Sequence, residues 1–489
     1  MSRNRLFLLL LMLSFFSGIH AQQPPAPYGA LPTERQLGWH ETEVYGLVHF
    51  TPTTFENKEW GYGDADPAIF NPKEFDADKI VAALKAGGLK GLVLVAKHHD
   101  GFALWPTKTT SYNISRSPFR NGKGDLVKEF EQACRKAGLK FGVYCSPWDR
   151  NNPSYGSFDY VQTYREQLRE LYSGYGELFM SWHDGANGGD GYYGGARTTK
   201  KIDRNTYYGW DTTWAITRKM QPMANLFSDI GWDVRWVGNE SGFAGEPSWA
   251  TFTPVPAKGE SQTFPGNLDH TQNPFGTKGG KNWVPAECDV PLRPGWFWHP
   301  EQKGKTKKPD QLFDLYLKSV GRGAALDLGI APDTRGLLDE EDVRSLAGFG
   351  EILQKTFANN LITSAKVTAS SSRGKAFKIS NATDAETNNY WATSDAHNSP
   401  VIEVKWNEEQ TFDLIRLREF IPLGQRIETV ELEALVNGEW TNIGRATTVG
   451  ACRIIPLLNP IRSSGLRIKL RAPVAVTLSD LGVFLRYRP

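Results

Sequence analysis

Four segments, each an amphipathic helix running into a short apolar strand, constrain this chain more than any other feature. The first two are "DADKIVAALKAGGLKGLVLVAKHHD" (76–100) and "DLVKEFEQACRKAGLKFGVYCSPWD" (125–149). Each has an acidic residue at the helix start, apolar positions at helical spacing, a glycine at the end and then a β-rich run. "YVQTYREQLRELYSGYGELFMSWHDG" and "TTWAITRKMQPMANLFSDIG" follow the same plan. Near-continuous apolar strands alternating with helices predict a parallel sheet covered by helices. "VYGLVHF" before these units, and "VRWVGNE" and "AALDLGI" after them, bring the strands to seven or eight. Polar residues gather at the C-terminal ends of several strands: His49, His98, His99, Trp148, Asp149, Asp184, Asp229 and Glu240. That distribution fits a (β/α)8, TIM-like barrel, whereas an open sheet collects its ligands at one switch point and commonly carries a GxGxxG turn, absent here.

A chain of 489 residues has room for a second unit. From about Thr363 the texture turns to alternation, in "VIEVKW", "FDLIRLREFI", "ETVELEALVNGEWTNIG" and "GLRIKLRA", with Asn437-Gly438 as a hairpin signal. An antiparallel β-sandwich is expected over 356–489, after a catalytic domain over 22–355. At the other end, residues 1–21 read as a cleaved signal: Arg3 and Arg5, a short apolar stretch from Leu6 to Phe16, and small or neutral residues before Ala21. Export to the periplasm or extracellular space is expected. No segment reaches the ~18 consecutive apolar residues of a membrane span.

The net charge of +2, without a long basic run, excludes the electrostatic footprint of a nucleic-acid binder. Four well-separated cysteines with no CxxC indicate neither a zinc site nor a disulfide framework. Aromatics at 12%, with 16 Trp, exceed what a core needs and suit a surface that stacks on sugar rings.

Adjacent residues on a strand point to opposite faces, so His98 and His99 share one site only if the chain turns there. No HExxH or HxH pattern supports a catalytic metal, and two neutral imidazoles suit vicinal hydroxyls. In "FMSWHDGANG" a strand ends at Asp184 with glycine next, so the carboxylate projects into the mouth, where it can attack an acetal carbon; an N-cap is the structural alternative. Glycoside hydrolysis requires a second carboxyl. Glu240 in "VRWVGNESG" and Glu287 in "WVPAECDVPLRPGWFWH" both qualify, and residue patterns alone do not separate them.

"GLVHFTPTTF", "KEWGYGD", "KHHDGFALWPTKTTSYN", "GVYCSPWDR", "WHDGANG", "RWVGNESG" and "WVPAECDVPLRPGWFWH" resemble, in order and spacing, the α-L-fucosidases of glycoside hydrolase family twenty-nine over roughly residues 30 to 350. The resemblance implies a retaining exo-fucosidase with Asp184 as nucleophile, although His183 stands where phenylalanine is commoner. It implies sugar-holding roles for His49, Glu59, Trp60, His98 and His99, with Tyr144 and Trp296 beside them. The Gly-Asn-Glu motif is similar to that of the branch selective for α-1,3- or α-1,4-linked fucose in Lewis-type glycans. That likeness points to Glu240 as acid/base, and to Glu287, Trp283 and Arg293 as contacts to a branch sugar. An apolar wall of Trp60, Trp105 and Phe50 is expected to favour the fucose methyl group. No cofactor is expected for catalysis. The loop "NATDAETNNYWATSD" resembles that of discoidin-like (galactose-binding-like) modules, which implies carbohydrate or structural-calcium binding through Asp384, Asn388 and Trp391. Broader linkage specificity and a non-catalytic fucose-binding protein are the alternatives.

Overall fold

The computed structural model describes residues 23–489 other than 385 and 387; the expected signal at 1–21 lies outside the described residues. Eight parallel strands close into a barrel: β1 (Val44–Val48), β2 (Gly91–Lys97), β3 (Lys140–Cys145), β4 (Met180–Trp182), β5 (Asn225–Ser228), β6 (Val234–Trp236), β7 (Ala286–Pro291) and β8 (Ala325–Ile330). Around them lie α1 (Ala77–Ala86), α2 (Leu126–Ala137), α3 (Phe158–Gly174), α4 (Trp210–Met220), α5 (Pro309–Lys318) and α6 (Glu340–Ala358). The acidic residues read as helix starts are N-caps: Asp76 accepts from Lys79 N and Asp125 from Lys128 N, both at 3.0 Å.

The helical shell is incomplete. Only residues 229–233 join β5 to β6, and residues 237–285 join β6 to β7 without an α-helix. So short a parallel connection works because Val234 pairs with Phe227, at the far end of β5, so the chain hardly has to travel back. Where a helix would lie, Trp232 packs against Trp214 of α4, ring centroids 5.4 Å apart.

Apolar side chains divide by strand parity. One set fills the space between strands and helices, including Leu92, Leu94, Val143, Leu326 and Leu328. The other fills the barrel interior, which is aromatic: Tyr45, Tyr144, Trp182 and Phe227 pack with Val93, Val95 and Met180. The barrel is thus a filled core with one functional end rather than a pore. All four cysteines are buried free thiols.

The antiparallel unit comprises β9 (Lys366–Ala369), β10 (Val401–Arg418), β11 (Thr429–Val436), β12 (Glu439–Ala446), β13 (Arg453–Arg471) and β14 (Asp480–Phe484). Its sheet order is β9-β10-β13-β11-β12, with β14 also on β10. Register shifts midway along the β10–β13 pair let these long strands bend around one core containing Trp391, Ile402, Leu432 and Ile468. Asn437 and Gly438, both at positive φ, make the β11–β12 hairpin turn. This unit docks near the N-terminal ends of barrel strands. Arg418 pairs with Glu43 just before β1 at 2.6 Å, and Ile454 N donates to Gly321 O, between α5 and β8, at 2.9 Å. Among the described residues no helix is long and apolar enough to cross a membrane.

Candidate active site

The C-terminal ends of β1 to β4 bring His49, His98, His99, Tyr144 and Asp184 together. The paired histidines share a site because β2 has a register shift against β3 between Val95 and Lys97, after which the chain leaves the strand and turns. Lys97 is thereby directed outward, to Tyr160 and Gln167 of α3 at 3.0 and 2.9 Å. Both imidazoles face the mouth, ring centroids 4.1 Å apart. Gly101 completes the turn at φ +84°, and a side chain there would collide with Asp149.

Asp184 follows β4 by two residues, so it shares the interior parity of Trp182 while His183 points outward. There His183 is fully buried, with Tyr164 Oη at 2.8 Å and Ser181 Oγ at 3.1 Å. Those polar partners explain why an imidazole is accommodated where the resemblance leads one to expect phenylalanine, and burial lowers its pKa to about 3, so it is neutral. One Asp184 oxygen accepts from Ala186 N at 2.6 Å and the other from Tyr144 Oη at 2.8 Å, with His99 Nε2 at 3.7 Å. Burial and the Asp184 charge hold the Tyr144 phenol well above its usual pKa, so it remains a donor. Gly185 lets the chain pass close to Asp229, whose Oδ2 would lie 2.9 Å from a Cβ at that position. Burial raises the Asp229 carboxyl to about 7, and its oxygens accept from Gly266 N at 2.6 Å and Ile230 N at 3.0 Å.

The histidines are neutral donors and acceptors. Burial lowers His49 to about 3, His98 well below its usual value and His99 in the same direction, although Asp184 pulls His99 back upward. Ser146 Oγ donates to Trp148 O at 2.8 Å, so its contact with His99 Nδ1 at 2.7 Å must take that nitrogen's proton. The lone pair of His99 is then on Nε2, facing the mouth. Nδ1 of His49 and Nδ1 of His98 are buried without a protein partner. Half-exposed Trp60 stands edge-on over His99, centroids 5.1 Å apart.

Residues after β7 close the far wall. Trp296 N donates to Glu59 Oε2 at 3.0 Å and its indole Nε1 to Glu240 Oε2 at 3.2 Å. His299 Nε2 meets Glu59 Oε1 at 2.8 Å. The Trp296 and Phe297 rings lie 5.3 Å from His49. Glu240 is exposed at the rim.

Five residues expected at the mouth are elsewhere. Glu287, second in β7, is fully buried deep in the barrel, where it accepts from Trp182 Nε1 at 2.7 Å and from Tyr45 Oη. Arg293 is 1% exposed because Asp342, Glu341 and Asp339 enclose its guanidinium at 2.8, 2.9 and 3.3 Å. Trp283 pairs through its short strand with Thr251 and packs with Leu37 and Ile421, its indole donating to His40 at 3.1 Å. Trp105 is buried in the outer core, donating to Glu170 of α3 at 2.9 Å. Phe50 is also outer core, against Phe70 and Phe75. The exposed apolar surface near the histidines therefore comes from Trp60 and Trp296, with Phe297 buried behind them. In the second unit, Trp391 is core and donates to Ser371 O at 3.0 Å, Asp384 caps a turn at Glu386 N at 3.1 Å, and Asn388 is exposed. Among the described residues no three His, Cys, Asp or Glu side chains converge as a metal site.

Ser146, Asp229, Phe297 and His299 were not picked out as site residues from the sequence. Asp229 had a signal, a carboxylate at a strand end, but the others gain their roles only through loop paths. At the opposite end of the barrel a cavity of about 410 Å3 includes Arg35, Trp39, Lys140 and Phe179. Arg35 is paired there with Asp233, and Lys140 donates to Gly38 O.

Comparison with known proteins agrees with this geometry. The α-L-fucosidase family model matches residues 28–357. α-L-Fucosidase 1 of Arabidopsis thaliana is 38% identical over 468 residues, covering 94% of this chain and 88% of that protein. A crystal structure of a glycoside hydrolase 29 family member from an unknown rumen bacterium superposes with a TM-score of 0.83 at 36% identity, over 95% of this chain and 78% of that one. A Ruminococcus gnavus fucosidase of the same family, in complex with fucose, gives a TM-score of 0.83 at 28% identity over 95% and 97%. With a family model spanning most of the chain and near full-length relatives in agreement, this chain belongs to the α-L-fucosidase family of glycoside hydrolases.

Proposed function

We propose that the chain is an exported, retaining exo-α-L-fucosidase that releases α-1,3- or α-1,4-linked fucose from branched, Lewis-type glycans. The observation that carries the reading is Asp184 itself: held by Tyr144 and Ala186, it faces three neutral imidazoles able to grip vicinal hydroxyls. In the first step an Asp184 oxygen bonds to the anomeric carbon while the bond to the leaving oxygen breaks and Glu240 gives that oxygen its proton. Glu240 then takes a proton from water, the water oxygen bonds to the anomeric carbon, and the Asp184 ester bond breaks, freeing fucose with its original configuration. Water supplies the new hydroxyl and replaces the proton that Glu240 gave, so both carboxyl groups end the cycle as they began. The linkage preference rests on the Gly-Asn-Glu motif, and export on the basic and apolar N-terminal residues.

Proton NMR of the first turnovers tests the stereochemistry: α-L-fucose is expected to appear before mutarotation, and β-L-fucose first would refute retention. A panel of fucosyl trisaccharides tests the linkage, with kcat/KM for α-1,3 and α-1,4 linkages expected at least ~10-fold above α-1,2; the reverse order would remove the branch assignment.

The lowered histidine pKa values give a second expectation. An ordinary histidine, near 6.5, protonates as pH falls to 4.5. Here burial holds His49 near 3 and His98 well below its usual value, so those two rings stay neutral across that window, and His99 is shifted in the same direction. The inhibition constant of fucose is expected to change less than ~3-fold between pH 6.5 and 4.5, measured by competition against an aryl fucoside. A loss of affinity that titrates near 6.5 would show that the imidazoles are ordinarily hydrated.

A further inference from the structure

Beneath the nucleophile, the barrel interior contains a polar thread that the mechanism above does not use. Trp39, in the helix Glu34–His40, donates its indole N–H to Tyr45 Oη at 3.2 Å, and Tyr45 donates its own proton to Glu287. The second Glu287 oxygen accepts from Trp182 Nε1 at 2.7 Å. Trp182 is clamped on both faces: it stacks on Phe227 with centroids 4.0 Å apart and 13° between planes, and on Tyr144 at 4.9 Å and 27°. Tyr144 in turn donates to Asp184. Glu287, Tyr45 and Tyr144 are each 1% exposed or less, so water cannot replace a lost partner.

A carboxyl deep in an aromatic core is costly, and here it has further company. Asp327 on β8 is fully buried and neither of its oxygens receives a hydrogen bond. Burial and the Glu287 and Asp289 charges hold Asp327 well above the usual carboxylate range, so it carries the proton of the pair. Glu287 is the member whose oxygens are both engaged by aromatic donors. An apolar residue would fill this space without the desolvation cost, but it would leave the Trp182 and Tyr45 donors orphaned and the indole free to slide on its stack.

We infer that Glu287 is a positioning residue for the nucleophile: it fixes the Trp182 indole, the indole fixes the Tyr144 ring, and Tyr144 aims Asp184. This rests on the reading of Asp184 as nucleophile, and the test separates the two. The probe is 2-deoxy-2-fluoro-L-fucosyl fluoride, whose anomeric carbon forms an ester with the attacking carboxylate as fluoride leaves, so the labelling rate reports the nucleophile without demanding an acid catalyst. Peptide mass spectrometry of the labelled wild-type protein comes first; a label on any residue other than Asp184 overturns the reading on which the inference depends. With the label on Asp184, Glu287→Gln and Trp182→Phe are each expected to slow labelling about 10-fold, while the inhibition constant of fucose stays within ~2-fold. Trp182→Phe keeps an aromatic face toward Tyr144 and Phe227 and removes the tie to Glu287, so it decides the matter if Glu287→Gln fails to fold. A double-mutant cycle supplies the readout that a merely structural role would not move: in a Tyr144→Phe background, Trp182→Phe should slow labelling by less than ~2-fold. Labelling at the wild-type rate in Trp182→Phe, or the same ~10-fold loss with Tyr144 already removed, overturns the inference.

Discussion

Replacing Asp184 by glycine is expected to lower kcat/KM on an aryl α-L-fucoside by at least ~10^4-fold, the scale on which removal of a covalent nucleophile is felt. The fold should survive. The side chain is partly exposed, and among the described residues it accepts hydrogen bonds from Tyr144 Oη and Ala186 N alone, with His99 nearby. Fucose binding should weaken far less than turnover, because the imidazoles and the Trp296 and Phe297 rings are untouched. Azide provides the sharper test. A small anion entering the space vacated on the attacking face bonds to the anomeric carbon from that face, and the product is β-L-fucosyl azide. Recovery of that anomer identifies Asp184 as the nucleophile. A loss of only ~10-fold without azide rescue would reduce Asp184 to a binding group and require another carboxyl, with Asp229 the nearest candidate by position.

The barrel was legible because its strands announce themselves twice, as apolar runs and as runs that end in polar residues. The α1-β2 and α2-β3 units have their caps, apolar faces and glycines in the order the fold uses them. The five-residue β5–β6 passage was not legible in the same way. "SDIGWDVRW" reads as one turn between two strands, and the register that makes it a helix-free parallel connection is a property of the neighbouring strand pair. The same distinction governs the site. His49, His98, His99 and Asp184 sit immediately beyond strand ends, so knowing where a strand ends places them. Glu287 sits at the beginning of β7, and parity then directs it inward, where it is fully buried. Charged residues within apolar strands, Glu287 in "PAECDV" and Asp327 in "ALDLG", are the signal of an interior polar network, legible once the direction of each strand is known. Arg293 and Trp283 belong to loops whose paths depend on distant partners, Asp342 for one and His40 for the other, and no local pattern encodes those partners.

Glu240→Ala separates the two acid/base candidates by their leaving-group dependence. On a natural trisaccharide the departing sugar hydroxyl needs a full proton, and kcat/KM is expected to fall ~10^2- to 10^4-fold, the usual contribution of a positioned general acid. On a dinitrophenyl fucoside, whose leaving group departs as a stable anion, the fucosyl-enzyme still forms at close to the wild-type rate and then accumulates, because water lacks a general base. Azide, which needs no base, should restore turnover and give α-L-fucosyl azide, since it attacks the fucosyl-enzyme from the face the aglycone left. Glu240 is exposed at the rim and accepts a hydrogen bond from the Trp296 indole. Glu287→Gln, assayed beside it, should slow both substrates by the same ~10-fold and respond to neither azide nor the leaving group, because a carboxyl sealed beneath Trp182 can reach neither the glycosidic oxygen nor the attacking water. If the leaving-group dependence appears in Glu287→Gln instead, the mouth must open deeper into the barrel than this structure has it, and Glu240 together with the linkage assignment drawn from its motif would be lost.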